Sequence, residues 1–264
     1  MHDLSGRLAE AGADDEALVL KRDGYAILAR VLGPDHPDTS LAAMGLAGLL
    51  VGRGDYVEAE QLMATDGAVR LRLWGDRHTE YARHLYLVGS YRLQVGDAAG
   101  ARAIAREAIA INEASGSVGR TALASQYELL GRAHERLGDL DAALAAFRHG
   151  EQPELFGAKL GYDGGDLHLG RARVLRKLGR AGEAAVALRE AADTWRALPE
   201  RHPQRGALAI EDGFAALDRG DAFTARDDAT RAFDLLPSRP EWDATRDELD
   251  ALRRRLVIAG QPLP

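Results

Sequence analysis

The chain contains no cysteine and only three lysines among its 264 residues. Without cysteine, disulfide bridges, thiolate metal sites and cysteine nucleophiles are excluded. None of the lysines, at Lys21, Lys159 and Lys177, follows a glycine or precedes serine or threonine, so no Walker-type phosphate loop is present. Acidic residues outnumber basic ones, and the formal net charge is -7. That balance disfavours a general nucleic-acid surface or an anionic-membrane surface.

Long apolar runs are missing as well. The uncharged stretch from Ser40 to Gly52 is too short to span a bilayer and predicts a buried helix instead. Near the N-terminus, charged residues such as Asp3 and Glu10 interrupt any apolar run, so no signal peptide is expected. We therefore expect a cytoplasmic protein without a membrane segment.

Motifs for catalysis or metal binding are also scarce. His134-Glu135 lacks the second histidine of a zinc-protease helix. Asp163 and Asp166 flank two glycines, but a calcium loop needs more oxygen ligands at tighter alternation. The sequence therefore predicts a protein that is not an enzyme and that has no cofactor and no metal site.

What the chain does contain is a repeated turn, first seen complete as Gly54-Asp55-Tyr56-Val57-Glu58-Ala59. Successive copies start 42, 42, 42, 41 and 41 residues apart, and an alanine follows each glycine by five positions. The six glycines are Gly12, Gly54, Gly96, Gly138, Gly179 and Gly220. A period in this range is typical of repeat proteins built from stacked supersecondary units.

The chemistry of this turn predicts a pair of antiparallel helices. A glycine in the left-handed conformation ends one helix, and the following Asp supplies an oxygen that caps the next. The alanine then lies one turn into the second helix, where its small side chain lets the two helices approach closely. A single hairpin of this kind cannot bury its apolar face, whereas a stack of hairpins buries a continuous core.

A second element recurs between hairpins. Its fullest form is Leu32-Gly33-Pro34-Asp35-His36-Pro37-Asp38-Thr39, and His36, His78 and His202 each lie 18 residues before the turn glycine of their repeat. Whole repeats separate these histidines, so they cannot share one metal ion at ligand distances near 2 Å. We expect them to brace the loops.

Together, the period, the Gly-Asp-Tyr-x-Glu-Ala turn and this linker resemble the tetratricopeptide repeat in its long, kinesin-light-chain-like form. The resemblance covers residues 1–237 and implies a bacterial protein-binding scaffold whose first helices line a concave groove. We expect an all-α, right-handed superhelical solenoid of about six helix-turn-helix hairpins, of which the first is incomplete, followed by a capping helix and tail over 238–264. The fifth hairpin is expected to start near Asp166, after a flexible glycine-rich joint over residues 157–165.

The resemblance also implies which residues face the groove. These positions become basic in the fourth and fifth repeats, and we hypothesise that their cations bind an acidic segment or the C-terminal carboxylate of a partner. The alternative is that neighbouring carboxylates of the chain neutralise them. An apolar patch from Met44 to Tyr86 offers a second surface, for a helix or a domain. The expected partner-binding residues are Met44, Arg83, Tyr86, Ser90, Glu128, Arg132, Arg136, Arg173, Arg176 and Lys177.

Three functions fit these expectations. The first is a non-catalytic scaffold for protein-protein interaction. The second is a regulatory or substrate-docking segment of a larger signalling enzyme such as a bacterial Ser/Thr protein kinase, because long arrays of this family are often joined to such enzymes. The third is a sensor that clamps a peptide or small ligand at the glycine-rich joint. The partner's identity and the oligomeric state stay open.

Overall fold

Helices make up the regular secondary structure throughout the part of the chain that the structure describes. The computed structural model describes residues 14–116, 120–152, 155 and 162–261. The chain divides into two compact units, unit 1 at Met1–Gly119 and unit 2 at Arg120–Pro264. Twelve α-helices and no β-strand occur among the described residues, which confirms the predicted all-helical repeat architecture.

Unit 1 contains one helix followed by two complete hairpins. The first hairpin is formed by α2 and α3 and the second by α4 and α5, while α1 packs on α2. The predicted turn at Gly12 and the helix before it lie outside the described residues. The helices are α1 at Asp14–Val31, α2 at Pro37–Arg53, α3 at Tyr56–Trp74, α4 at Thr79–Gln94 and α5 at Ala98–Ala114.

Unit 2 contains three hairpins and a final helix. The hairpin helices are α6 at Arg120–Arg136, α7 at Leu140–Gly150, α8 at Tyr162–Lys177, α9 at Ala181–Thr194, α10 at Pro203–Asp218 and α11 at Ala222–Leu235. A 3₁₀ turn at Pro240–Trp242 leads into α12 at Asp243–Ile258. On α12, Leu249, Leu252 and Leu256 are buried in the core shared with α10 and α11. On the rest of this helix Asp243, Asp247 and Arg254 are exposed, together with Val257 and Ile258 at its end.

The turn glycines adopt the left-handed conformation that the sequence predicts. Their φ angles lie between 74° and 91° at Gly54, Gly96, Gly138, Gly179 and Gly220. The alanine five residues after each glycine is fully buried in four of these five turns, at Ala59, Ala101, Ala143 and Ala225. Each of these five described copies therefore lies at the bend of a helical hairpin.

Helix caps follow the same repeat. Asp97, Asp139 and Asp221 each accept a backbone N–H three residues later, as N-cap aspartates do. The repeated histidines His36 and His78 also cap helices, because each Nδ1 accepts the backbone N–H two residues on at 3.2 Å. His202 makes the same bond at 3.4 Å. These bonds from the next helix to the imidazoles are the contacts through which the histidines brace their loops.

The start of the fifth hairpin differs from the prediction. Helix α8 begins at Tyr162 and not near Asp166, so Gly164 and Gly165 lie inside the helix and are buried. A Cβ at Gly165 would overlap the indole of Trp195, which is buried in the core of unit 2. The low helix propensity of glycine is therefore outweighed by a close helix contact. The other residues of the predicted joint, 157 and 161, lie outside the described residues.

Candidate functional site

Three of the five basic residues predicted to bind a partner in unit 2, Arg173, Arg176 and Lys177, are joined in one ion-pair network. Arg173 on α8 binds Glu135 on α6 through two parallel bonds, with Nε–Oε1 at 2.7 Å and Nη2–Oε2 at 2.8 Å. This is the bidentate geometry in which Arg holds a carboxylate most strongly. Lys177, one turn further along α8, donates to the same Glu135 Oε1 at 2.9 Å. Glu135 therefore neutralises two cations of α8.

The third cation of this network, Arg176, binds two other carboxylates. Its Nε lies 2.7 Å from Glu211 on α10, and its Nη2 lies 2.8 Å from Glu248 on α12. The guanidinium also stacks on the ring of Phe214, 3.8 Å from its centroid. Glu248 in turn accepts a bond from Lys177. Three cations from one helix are thus matched by three carboxylates from three other helices.

The pKa values follow the burial of these groups and their partners. Burial alone would raise the pKa of Glu135, but the charges and hydrogen bonds of Arg173 and Lys177 lower it to about 2. The pKa of Glu248 is lowered in the same way, against the effect of burial, by Lys177 and the two arginines. For Glu211 burial outweighs Arg176, and its pKa is raised. Glu211 is therefore the least well-compensated carboxylate of the network.

Three further predicted residues lie at the edge of this network, on α6. Glu128 accepts a bond from Arg132 at 3.1 Å, one helical turn apart, and the Arg132 side chain is 44% exposed. Arg136, the last residue of α6, is exposed, and its side chain makes no hydrogen bond or ion pair with any other described residue. These two arginines present positive charge to solvent beside the buried pairs.

The predicted residues of unit 1 lie on the first helices α2 and α4. We call the surface of these helices that carries Met44, Gly48, Arg83, Tyr86, Leu87 and Ser90 the first-helix face of unit 1. Met44 and Tyr86 are half-buried there, Ser90 is half-buried further along α4, and Arg83 is exposed. Arg83 contacts Glu80 at 3.4 Å. The Met44 sulfur lies 3.6 Å from Nη2 of the buried Arg70. This face is mainly apolar, with Arg83 as its exposed charge.

Beneath this face is a buried polar cluster that the sequence analysis missed. The Asp66 carboxylate of α3 accepts bonds from Ser40 at 2.5 Å, Arg70 at 2.7 Å and His84 at 2.9 Å. Asp66 and Arg70 are almost fully buried, and Arg70 also binds Glu80. Burial would raise the pKa of Asp66, but its hydrogen bonds and the charge of Arg70 lower it. A signal was present, because Asp66 and Arg70 are one turn apart on the buried side of a helix.

Neither a metal centre nor a membrane segment is found within the described ranges. No group of three or more His, Asp or Glu side chains there has the arrangement needed to hold a metal ion. Likewise, none of the described helices combines the length and the apolar character needed to cross a bilayer.

Comparisons with known proteins indicate tetratricopeptide repeats. Residues 1–38 and 125–150 match two family models that are both described as tetratricopeptide repeat. No curated protein matches the chain. Among solved structures, a variant of a putative kinesin light chain from Podosopora anserina with nearly identical TPR-like repeats is 18% identical. It covers 74% of this chain and 92% of its own, with a TM-score of 0.57.

Two further structures show how far the similarity extends. A tetratricopeptide repeat protein from Parabacteroides merdae is 16% identical over 95% of this chain and 82% of its own, with a TM-score of 0.57. The Cut9-Hcn1 hetero-tetramer of the APC/C contains a chain that is 16% identical, with a TM-score of 0.58. That match covers 97% of this chain and 46% of the other. At these identities the similarity establishes the helical-repeat fold.

Proposed function

We propose that this protein is a non-catalytic scaffold that binds a partner peptide or domain on the exposed faces of its first helices. Tetratricopeptide repeats generally mediate protein-protein interaction, and both the matched segments and the helical-repeat fold support that class of function. Binding on first helices is the finer part of the proposal, and it rests on the first-helix face of unit 1.

The observation that carries this proposal is the environment of Gly48, in the middle of α2. Glycine inside a helix costs about 1 kcal/mol relative to alanine. Many helical glycines of this chain have a packing reason, since a Cβ at Gly67 or Gly131 would lie 2.7 Å from His84 or 2.8 Å from Phe147. At Gly48 a Cβ would meet only Leu87, at an ordinary 3.7 Å. The contacts of the chain itself therefore do not require glycine at this position.

The surroundings of Gly48 suit an apolar partner surface. Leu87 is partly buried against the core of unit 1, and Met44 and Tyr86 are half-buried on the same face. Half-buried apolar side chains around a missing Cβ leave room for an inserted side chain or for a closely approaching helix. Arg83, more than half exposed, supplies a charge at the rim of this surface. We infer that a partner contacts these residues together.

The experiment is a crosslinking pull-down from the source cells, followed by binding of the recovered partner to purified variants. Gly48→Leu fills the space at the face and is expected to weaken binding about tenfold or more. The matched control is Gly24→Leu, a glycine in the middle of α1 with open space around it. A partner held equally by wild type and both variants would refute the first-helix face as the binding surface.

A second ligand is proposed for unit 2, namely an acidic segment or a C-terminal carboxylate. Support comes from Arg132 and Arg136, whose charges are exposed on α6 beside the cations of α8. The test compares the recovered partner's affinity for wild type and for the Arg132→Ala, Arg136→Ala double variant at two salt concentrations. A steeper salt dependence for wild type is expected. Equal affinities for wild type and the double variant would refute the acidic ligand of unit 2. The proposal for the first-helix face of unit 1 would be unaffected.

A further inference from the structure

In the network around α8, the carboxylate of Glu248 comes from a helix outside the hairpins, unlike the other two. Glu135 and Glu211 lie on α6 and α10, which are first helices of their hairpins, and they bind cations from within the repeat stack. Glu248 lies on α12, the helix that follows the last hairpin, and it contacts Arg176 and Lys177 from 72 and 71 residues away in sequence. It therefore reaches the cations of α8 from outside the hairpins.

Exposure separates Glu248 from the other two carboxylates as well. The side chains of Glu135 and Glu211 are 8% and 5% exposed, so displacing either would move a buried carboxylate out of the core, and loss of Glu135 would also leave Arg173 without its partner. Glu248 is 19% exposed and Lys177 is 30% exposed. If the Glu248 side chain rotates toward water, Arg176 keeps Glu211 and Lys177 keeps Glu135. Glu248 is thus the most exposed carboxylate of the network, and its displacement leaves every cation paired.

The helix itself is not free to leave. Leu249, Leu252 and Leu256 are buried in the core with α10 and α11, and undocking α12 would expose all three. Exposing three buried leucines is unfavourable, whereas rotating one glutamate side chain requires only the loss of its own ion pairs. Exchange at this site therefore involves the side chain of Glu248 and not the position of α12.

We propose that Glu248 is an intramolecular competitor for the acidic ligand of unit 2, occupying on Arg176 and Lys177 the place that a carboxylate of the partner takes. This inference rests on the acidic ligand proposed above. It predicts that wild type binds acidic chains weakly, because each binding event displaces Glu248. Only a partner with several correctly spaced carboxylates, or with further contacts elsewhere, overcomes this competition. The competitor thus gives selectivity to a surface that is otherwise attractive to any polyanion.

The test uses a fluorescein-labelled oligoglutamate peptide as the probe, with an oligoglutamine peptide of equal length as the uncharged reference. Anisotropy at low salt measures the affinity of the full chain. Glu248→Gln is expected to bind oligoglutamate about tenfold more tightly than wild type. The matched control, Asp247→Asn, removes the same charge from the exposed side of the same helix and is expected to match wild type. A purely structural role for Glu248 predicts weaker binding or none.

A double variant tests whether the tighter binding expected for Glu248→Gln depends on the cations that Glu248 contacts. Lys177→Ala introduced together with Glu248→Gln is expected to cancel the gain, and circular dichroism on each variant verifies that α12 is folded. If the Glu248→Gln and Asp247→Asn variants bind oligoglutamate with equal affinity, the role of Glu248 as a competitor is refuted. If wild type and Glu248→Gln bind oligoglutamate equally and Arg176→Ala loses binding, the acidic ligand of unit 2 is supported and the competitor role of Glu248 is refuted. If a folded Glu248→Gln variant binds no oligoglutamate, the competitor role of Glu248 and the acidic ligand of unit 2 are both refuted.

Discussion

Glu135 supports two cations of α8, and its removal is the perturbation with the clearest expected magnitude. Glu135→Gln keeps the shape of the side chain but removes the charge that holds Arg173 in a bidentate pair. Arg173 is then left with the more distant charges of Glu211 and Glu248. Breaking a buried ion pair by removing one partner costs about 3–5 kcal/mol, because the remaining charge is buried without compensation.

The pKa of Glu135 leads to a similar magnitude. It falls from the ordinary 4.5 to about 2 in the folded chain, and at 1.36 kcal/mol per pKa unit this corresponds to about 3 kcal/mol. Because the folded pKa is the lower one, this stabilisation is complete above pH 4.5 and is lost as the pH falls toward about 2. Glu135→Gln should therefore destabilise unit 2 at neutral pH by about 3 kcal/mol and by progressively less below pH 4.5.

Urea unfolding, followed by tryptophan fluorescence and by amide exchange of α8, measures this loss. Trp195, buried in unit 2, reports on that unit. Glu128→Gln is the control, since its partner Arg132 is 44% exposed and the pair is worth at most about 0.5 kcal/mol. A loss below about 1 kcal/mol for Glu135→Gln at neutral pH, where about 3 is expected, would refute the assignment of this pair as a buried, well-compensated one. So would a loss independent of pH.

Other substitutions test the glycines and a destabilising carboxylate. Gly48→Ala should raise the free energy of unfolding by up to about 1 kcal/mol, as measured by urea unfolding, because the new methyl group fits beside Leu87 of α4. Gly165→Ala should lower it by about 1–3 kcal/mol, since the methyl group overlaps Trp195, and a neutral result would contradict the packing of α8. Burial and the charge of Asp212 raise the pKa of Asp228 to about 6. Above that pH the ionised carboxylate is unfavourable in the folded chain, so Asp228→Asn should stabilise the protein at pH 7.5 and lose this effect near the ordinary pKa of 3.8.

The repeat architecture follows from local chemistry, which explains why the sequence alone predicts it. A left-handed glycine and an aspartate that caps the next helix act within a few residues, so each Gly-Asp turn specifies its own bend. Helices α5 and α7 begin and end where the turns and the apolar pattern place them, at Ala98–Ala114 and Leu140–Gly150. The sequence also predicts that α8, near the end of the array, is positively charged on one side, because Arg173, Arg176 and Lys177 share one face of this helix.

The contacts of those cations could not be predicted in the same way. The sequence analysis gave neutralisation by neighbouring carboxylates as the alternative to a partner, and the structure shows Glu135 as a direct partner of Arg173 and Lys177. Glu211 and Glu248 complete the network. Glu248 lies more than 70 residues from Arg176 and Lys177, and no local rule connects positions so far apart.

By itself the sequence determined the period, the hairpin turns, the aspartate caps and the helical class, because each depends on interactions within one or two helical turns. Tertiary structure alone decided that Gly164 and Gly165 continue α8, that Asp66 and Arg70 are buried together, and that Glu248 contacts the cations of α8. Each of these depends on which helices pack side by side. There a close contact with Trp195 outweighs the low helix propensity of glycine, and a partner distant in sequence determines whether a charge is neutralised.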